Sequence, residues 1–429
     1  MRILVVGGGG REHALCWAVK RDTPDAALFA APGNPGTAQL GTNLPVPATA
    51  LDDIVGAVRE HHIDFTIVGP EAPLAAGLAD RLRAAGLAVF GPDRAAARIE
   101  SSKAFAKELM ERAGIATAAG RSFTALEAAL AYVQRHPEPL VVKASGLAAG
   151  KGVVVCASRA EAARAVRAML AEGAFGDAGR EVVIEDYLEG EELSVLALTD
   201  GERTLVLPAA QDHKRLGEGD RGPNTGGMGA YCPVSIASDA LLEQVRREVL
   251  EPAIHALATQ GAPYRGVLYA GLMLAADGTA SVLEFNCRFG DPETQALLPL
   301  LPGVTEHLAA IAAGTWRPRE TTLVATRAAV ATVLVAPGYP DKPERGAAIA
   351  VPRDLEPETL VFHAGTSRDA DGTLRVDGGR VLTVTGLGDS VASARARSAR
   401  GCELITFGGK TYRRDIGWRE EERAGAARG

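Results

Sequence analysis

The sequence predicts a multidomain protein of mixed class, parallel α/β at its N-terminus and α+β beyond. Three observations carry that expectation. Over the first hundred residues, short apolar runs alternate with helical stretches, as in a parallel sheet covered by helices. From about residue 120 the pattern becomes apolar strands joined by glycine-rich or polar links, with capped helices among them. Past about residue 325 a further unit begins in which β runs dominate. The 429 residues suit about three domains, expected at 1–102, 103–325 (with a subdomain at about 120–190) and 326–429.

Hydrophobic residues make up 47% of the chain and charged residues 23%, ordinary for a globular protein that buries most of its surface. The net charge of −7 argues against nucleic-acid or membrane-surface partners but permits a local basic pocket. Cys16, Cys156, Cys232, Cys287 and Cys402 include no C-x-x-C pair, which suits reduced thiols better than a disulfide frame or a zinc site. Met1-Arg2 leads straight into a short strand instead of a signal peptide, and no run reaches the roughly eighteen apolar residues of a membrane helix. A cytoplasmic protein is expected.

The first strand, Ile3 to Val6, ends in four glycines (7–10), and Arg11 opens a helix. Strand, glycine turn and helix start present backbone N–H groups to an anion. The spacing departs from G-x-G-x-x-G because Glu12 stands at the third glycine, which disfavours a dinucleotide and leaves a smaller phosphate. A strand at 28–31 leads to the turn-rich loop 32–37, a helix follows at about 51–62, and the strand 65–68 leads to the loop 69–73. All three loops follow strands, so they should gather at the carboxyl edge of the sheet, where such sheets bind ligands. Any one of them alone reads better as a tight turn, and the three together point to a site.

A helix from about 101 carries Lys103 and Lys107 and breaks at Gly114. Thr124-x-x-Glu127 and Ser158-x-x-Glu161 are capping-box patterns. Between them, two apolar strands flank a glycine-rich loop bearing Lys151, with Lys143 on the first strand. A strand instead of a helix follows Gly150-Lys151-Gly152, so this is no Walker A loop; it reads as a hairpin flap over phosphates or as an ordinary mobile turn. Two further strands span 182–188 and 190–198 and place Glu185 and Glu192 at the edges of a cleft. The stretch 211–233, dense in glycine and polar side chains, reads as a substrate loop. A helix at about 239–259 precedes the strand 266–274, which pairs through Asp277-Gly278 with the strand 281–287. Alternation puts Glu284, Asn286 and Arg288 on one face of that last strand. A carboxylate beside an amide oxygen suits Mg²⁺ with substrate phosphates, and an arginine can bridge those phosphates. A surface strand with a salt bridge is the alternative. Asp291 and Glu293 bind a substrate amine or cap the next helix. His363, near a strand end, reads as structural.

Nine stretches run nearly end to end: GREHA (10–14), APGNPGT (31–37), VGPEAPL (68–74), GLAAGKGV (146–153), QDHKR (211–215), GPNTGGMGAY (222–231), YAGLM (269–273), EFNCRFGDPETQ (284–295) and RRDIGW (413–418). With these the chain resembles the ATP-grasp carboxylate–amine ligases and, more narrowly, the phosphoribosylamine–glycine ligase family. The resemblance implies an ATP-grasp fold of two α+β subdomains clasping the nucleotide, between an N-terminal parallel domain and a mainly β C-terminal domain. It implies a cytoplasmic monomer that joins glycine to 5-phosphoribosylamine through glycyl phosphate, with ATP and Mg²⁺ or Mn²⁺. Glu284 and Asn286 would hold the metal, and Arg288, Lys143 and Asp212 would be catalytic. ATP would meet Lys103, Lys143, Gly146, Gly150, Lys151, Gly152, Glu185, Leu188 and Glu192. The substrates would meet Gly8, Gly9, Gly10, Arg11, Asn34, Gly36, Thr37, Pro70, Glu71, Asp212, Lys214, Asn224 and Asp291, with Asp212 on the glycine ammonium. Ser145, Gly9 and Ala210 depart from the family pattern, which has Asp, then Asn or Ser, then Ser at those places. A biotin-type carboxylase, a non-catalytic nucleotide module and a Rossmann oxidoreductase are the rivals. APGNPGT and GPNTGGMGAY, the metal-ligand pair and the missing third glycine, respectively, disfavour them.

Overall fold

The computed structural model describes residues 1–148 and 151–426. Its N-terminal sheet is wholly parallel, with strands in the order Thr42–Asn43, Ala27–Pro32, Arg2–Gly7, Phe65–Val68 and Val89–Phe90. Arg2–Gly7 lies in the middle, and Ile3 through Val6 are fully buried, which is why they read as a continuous apolar run. Strand order reverses beside this strand, so the loops after it and its neighbours meet at the switch point, as the sequence predicts. A side chain on Gly8 would press 2.6 Å from the Gly33 carbonyl oxygen, and one on Gly69 would meet Glu12 Oε1 at 2.2 Å.

The helix Lys103–Ala113 leads out of this domain, capped by Ser102 Oγ on the Phe105 N–H and ended by Gly114 at φ +68°. Two antiparallel four-stranded sheets follow. One runs Gly120–Phe123, Val182–Asp186, Leu140–Ala144 and Val153–Cys156; the other runs Thr204–Val206, Glu191–Thr199, Gly266–Leu274 and Ala280–Asn286. The strands read at 182–188 and 190–198 therefore belong to different sheets, and residues 187–190 are the crossing between subdomains. Neither capping box forms in full. Ser158 Oγ caps its helix by accepting from the Glu161 N–H, but Glu161 takes the N–H of Ala157, one residue before the cap, instead of that of Ser158. Helix Leu126–Val133, however, starts after Ala125 without a side-chain cap, so Thr124 is no N-cap. The helix expected at 239–259 widens into a π turn at Arg246–Leu250 between Asp239–Val245 and Glu251–Thr259. Pro252 supplies no N–H to the turn before it, which accounts for the widening.

The C-terminal sheet runs Gln211–Asp212, Gly229–Cys232, Ala328–Val335, Arg380–Gly388 and Thr359–His363. Its first two strands are the ends of the glycine-rich stretch 211–233, whose middle folds as a hairpin of Arg215–Gly217 and Arg221–Asn224. That stretch leaves the central sheet and joins the C-terminal one, so the third unit forms part of the cleft wall. All five cysteines are free and buried. Among the described residues no single helix is long and apolar enough to cross a membrane.

Candidate active site

A cavity of about 600 Å³ opens where the sheets converge. It is lined by Lys103, Lys143, Gly152, Glu185, Leu188, Glu192, Asp212, Lys214, Asn224, Glu284, Asn286, Arg288 and Asp291, joined from the N-terminal domain by Arg11, Pro70 and Glu71. The flap residues Gly146 and Lys151 are not on its wall, nor are Gly8, Gly9, Gly10, Asn34, Gly36 and Thr37. Gly150 lies outside the described residues. Val141, Val155, Tyr187, Met273 and Leu283 give the cavity an apolar stretch that suits a flat base.

Strand Ala280–Asn286 brings Glu284 and Asn286 to this wall, paired with Gly271 and Tyr269 of the neighbouring strand. The pairing slips between those pairs and Val282–Leu272, leaving Leu283 as a bulge. Burial raises the Glu284 pKa, but Lys214, Lys103 and Lys143 outweigh it and hold the group below the usual carboxylate range. Arg288 lies just past the strand. Its Nη2 reaches Glu100 at 3.0 Å and Asn286 Oδ1 at 3.1 Å, its Nε reaches Glu71 at 3.3 Å, and its Nη1 donates to the Phe289 carbonyl at 3.1 Å. Four of its five donors are thus engaged, and one Nη1 hydrogen remains. Its pKa is raised, the two glutamates outweighing burial.

Lys143 sits at 2.6 Å from Glu185 and donates to the Leu283 carbonyl at 2.9 Å. Of its three ammonium hydrogens one is left for a ligand. The other Glu185 oxygen pairs with Lys107 at 2.9 Å, and Glu185 is held below its usual pKa because the two lysines outweigh the burial that raises it. Lys103 donates to the Gly146 carbonyl at 3.3 Å, and burial lowers its pKa. The Ser145 hydroxyl accepts from the Ala104 N–H at the start of the lysine-bearing helix.

Asp212 stands on the short strand Gln211–Asp212, and its Oδ1 is buried with no hydrogen-bond partner among the described residues. Burial and then Glu293 push its pKa well above the usual range. Glu293 is 3% exposed and accepts from Tyr269 at 2.6 Å and Ser194 at 3.3 Å. An unpaired buried carboxylate oxygen is the kind of group a bound ammonium completes. Lys214 bridges Glu192 at 2.7 Å and Glu284 at 3.9 Å; these carboxylates raise its pKa against the burial that lowers it. Asp291 is occupied by Arg380 at 3.0 Å and Gln295 at 2.7 Å, which also clamps the strand end to the C-terminal sheet.

The N-terminal loops use their polar groups on one another. Asn34 Oδ1 accepts from the Gly36 and Thr37 N–H groups at 2.8 and 3.0 Å, and its Nδ2 donates to the Gly8 and His363 carbonyls at 3.0 and 2.9 Å. The Gly9 N–H donates to Glu12 Oε2 at 2.7 Å. The His363 N–H donates to His13 Nδ1 at 2.8 Å, which ties the first helix to the C-terminal sheet.

Glu100 and Arg380 escaped the sequence reading, which puts Lys107 on its helix but gives it no role at the site. Lys107 follows Lys103 by one helical turn, a spacing that puts both on one face and is a usable signal. Glu100 and Arg380 are brought in by tertiary packing, and nothing local marks them.

Three domain models of phosphoribosylglycinamide synthetase match the chain: the N domain over residues 1–100, the ATP-grasp (A) domain over 101–294 and the C domain over 329–419. The chain is 45% identical over 422 residues to the phosphoribosylamine–glycine ligase of Yersinia pestis, covering 98% of this chain and 99% of that one. It belongs to the phosphoribosylamine–glycine ligase family. A Nostoc phosphoribosylamine–glycine ligase is 49% identical over 425 residues, with 98% and 99% of the two chains covered. The solved phosphoribosylamine–glycine ligase of Thermotoga maritima superposes with a TM-score of 0.85 at 35% identity, covering 97% of this chain and all of that one. The biotin carboxylase domain of Hydrogenobacter thermophilus 2-oxoglutarate carboxylase, solved with MgADP and bicarbonate, gives a TM-score of 0.75 at 18% identity, covering 96% and 91%. That likeness is one of fold. The family membership agrees with the resemblance read from the sequence, and the fold has the expected parallel, clasping and mainly β parts.

Proposed function

We propose that this chain ligates glycine to 5-phosphoribosylamine, forming glycinamide ribonucleotide for purine (IMP) biosynthesis while ATP becomes ADP and phosphate. One observation carries the reading. A single cavity offers cations whose donors the described residues leave partly unengaged, Lys103, Lys143 and Arg288, and a buried carboxylate oxygen without a partner among those residues, Asp212 Oδ1. The first set suits phosphate and the second suits an ammonium.

A carboxylate is a poor acyl donor until its oxygen is phosphorylated. In this reading a glycine carboxylate oxygen attacks the γ-phosphorus and ADP leaves. The sugar amine then attacks the acyl carbon, gives up a proton, and phosphate departs. The chain's part in the first step is positioning and charge neutralisation. Lys103 and Lys143 would face phosphate oxygens, and the spare Arg288 hydrogen would clamp the transferring phosphoryl. Glu284 and Asn286 are two hard oxygen donors on one wall. They fit Mg²⁺ or Mn²⁺, which when bound would neutralise phosphate charge and draw its remaining ligands from phosphate and water. Glu185 and the backbone near Leu188 would meet the adenine and Glu192 the ribose, with Gly146, Lys151 and Gly152 closing above to exclude water.

Asp212 would take the glycine ammonium, whose charge restores the carboxylate that burial disfavours. Lys214, Asn224 and Asp291 would border the same substrate. The Gly9, Gly36 and Thr37 amides being engaged, the sugar phosphate would draw on Gly8, Gly10 and Arg11, with Pro70 and Glu71 beside it and the Asn34 loop bracing the glycine turn from behind. A cytoplasmic location belongs to the same reading, and the free, buried cysteines suit a reducing compartment. Glycine labelled with ¹⁸O in its carboxylate tests the route. One labelled oxygen should leave in each phosphate, and unlabelled phosphate would exclude the acyl phosphate.

A further inference from the structure

We propose that Lys107 is a positioning residue for phosphate binding: it fixes Glu185, and through Glu185 it holds Lys143 against the bulge in the metal-ligand strand. The inference rests on the placement of ATP phosphates beside Lys143 proposed above.

The Lys107 ammonium is 4% exposed and has three acceptors: Thr117 Oγ1 at 3.0 Å, the Ala118 carbonyl at 2.6 Å and Glu185 Oε1 at 2.9 Å. Three acceptors use all three hydrogens, so nothing is left for a nucleotide and any effect on one passes through a neighbour. That neighbour is Glu185, whose second oxygen meets Lys143 at 2.6 Å. Lys143 in turn donates to Leu283, the residue the strand pairing skips, directly before Glu284.

The chain of contacts crosses three elements that must come together around a nucleotide. Lys107 is on the helix Lys103–Ala113, Glu185 and Lys143 are on the clasping sheet, and Leu283 is on the strand bearing Glu284 and Asn286. The helix is tied to that strand a second time, through Thr117 Oγ1, which accepts from Lys107 and donates to the Val282 carbonyl at 2.8 Å. A carboxylate between two ammonium groups has a fixed orientation, because each oxygen is claimed from a different side. Without Lys107 the Glu185 carboxylate keeps one partner, can rotate about it, and pairs with Lys143 as a neutral couple. The remaining Lys143 hydrogen then has neither a set direction nor a net positive charge behind it.

Kinetics of Lys107→Met, Lys107→Arg and Lys143→Met decide the matter, each assayed at a temperature where circular dichroism shows the variant folded. Lys107→Met should raise the KM for ATP by about tenfold and leave the KM for glycine within about twofold, as expected for loss of an outer partner of a binding group. Lys107→Arg should recover most of that loss, since it keeps the charge and the donors. Wild-type kcat and ATP KM in Lys107→Met, beside an impaired Lys143→Met, would overturn the inference and leave the site reading standing. An unimpaired Lys143→Met would overturn the site reading itself. Should Lys107→Met not fold, Thr117→Val removes one Lys107 acceptor and no charge. A raised ATP KM with an unchanged glycine KM then supports the inference, and an unchanged ATP KM overturns it.

Discussion

The N-terminal loops and the wall of the central cavity both bring polar groups to the ends of strands, yet they use them differently. In the loops, Asn34 takes up the Gly36 and Thr37 amides and Glu12 takes up Gly9, so these three backbone donors are closed off within the fold. In the cavity, Lys143 and Arg288 each keep a hydrogen unengaged and Asp212 keeps an oxygen unpaired. A glycine-rich loop near a strand end is therefore not evidence of a ligand until its amides are accounted for. The loops pay for rigidity with their own donors, and the cavity holds charge in reserve.

Substitutions on the two sides should separate cleanly. The largest effect is expected at the cavity. Glu284→Gln should lower kcat on the order of a hundredfold or more and raise the divalent-ion concentration for half activity, read by metal titration of ADP release. Next, Asp212→Asn should raise the glycine KM about tenfold to a hundredfold, the worth of a charged hydrogen bond, with the ATP KM nearly unchanged. If the ATP KM moves instead, Asp212 is not the ammonium partner.

On the loop side the readout should be stability. Asn34→Ala leaves the Gly36 and Thr37 amides and two carbonyls without a partner and should cost about 1–3 kcal/mol in chemical denaturation, with a smaller effect on ATP affinity. A collapse of ATP affinity at unchanged stability would erase the distinction between the regions. The smallest effect concerns Asp22, which accepts from the Thr305 N–H and hydroxyl at 3.1 and 2.9 Å and so fastens the first helix to the start of Val304–Ala313. Burial raises its pKa, but Arg21 and the backbone donors outweigh it, leaving the group below 3.8. A depressed carboxylate stabilises the fold above its unfolded pKa and loses that contribution as pH falls through the folded value. Asp22→Asn should therefore cost about 1 kcal/mol at neutral pH and converge with the unmodified protein in strong acid, checked by denaturation at several pH values.

Much of the architecture is legible in the chain because its cause is local. Ile3 to Val6 are apolar throughout because both faces of a parallel strand are covered, and Gly114 ends its helix because it takes a left-handed conformation. Glu284 and Asn286 share a face because strands alternate. What escaped is long-range. Glu100 reaches Arg288, Arg380 reaches Asp291, and the strands Gln211–Asp212 and Gly229–Cys232 cross to the C-terminal sheet. Each depends on which elements pack together, and no periodicity in the chain encodes that. Thr124 shows the opposite failure: its spacing to Glu127 is right, but the helix begins one residue later than the motif requires.

The most direct test of the account is a matrix of omissions. ADP release is followed with ATP, Mg²⁺, glycine and phosphoribosylamine together, then with each left out in turn. The account predicts full turnover only in the complete mixture, with near-background rates when glycine or the sugar amine is missing. An equal rate without glycine would contradict it.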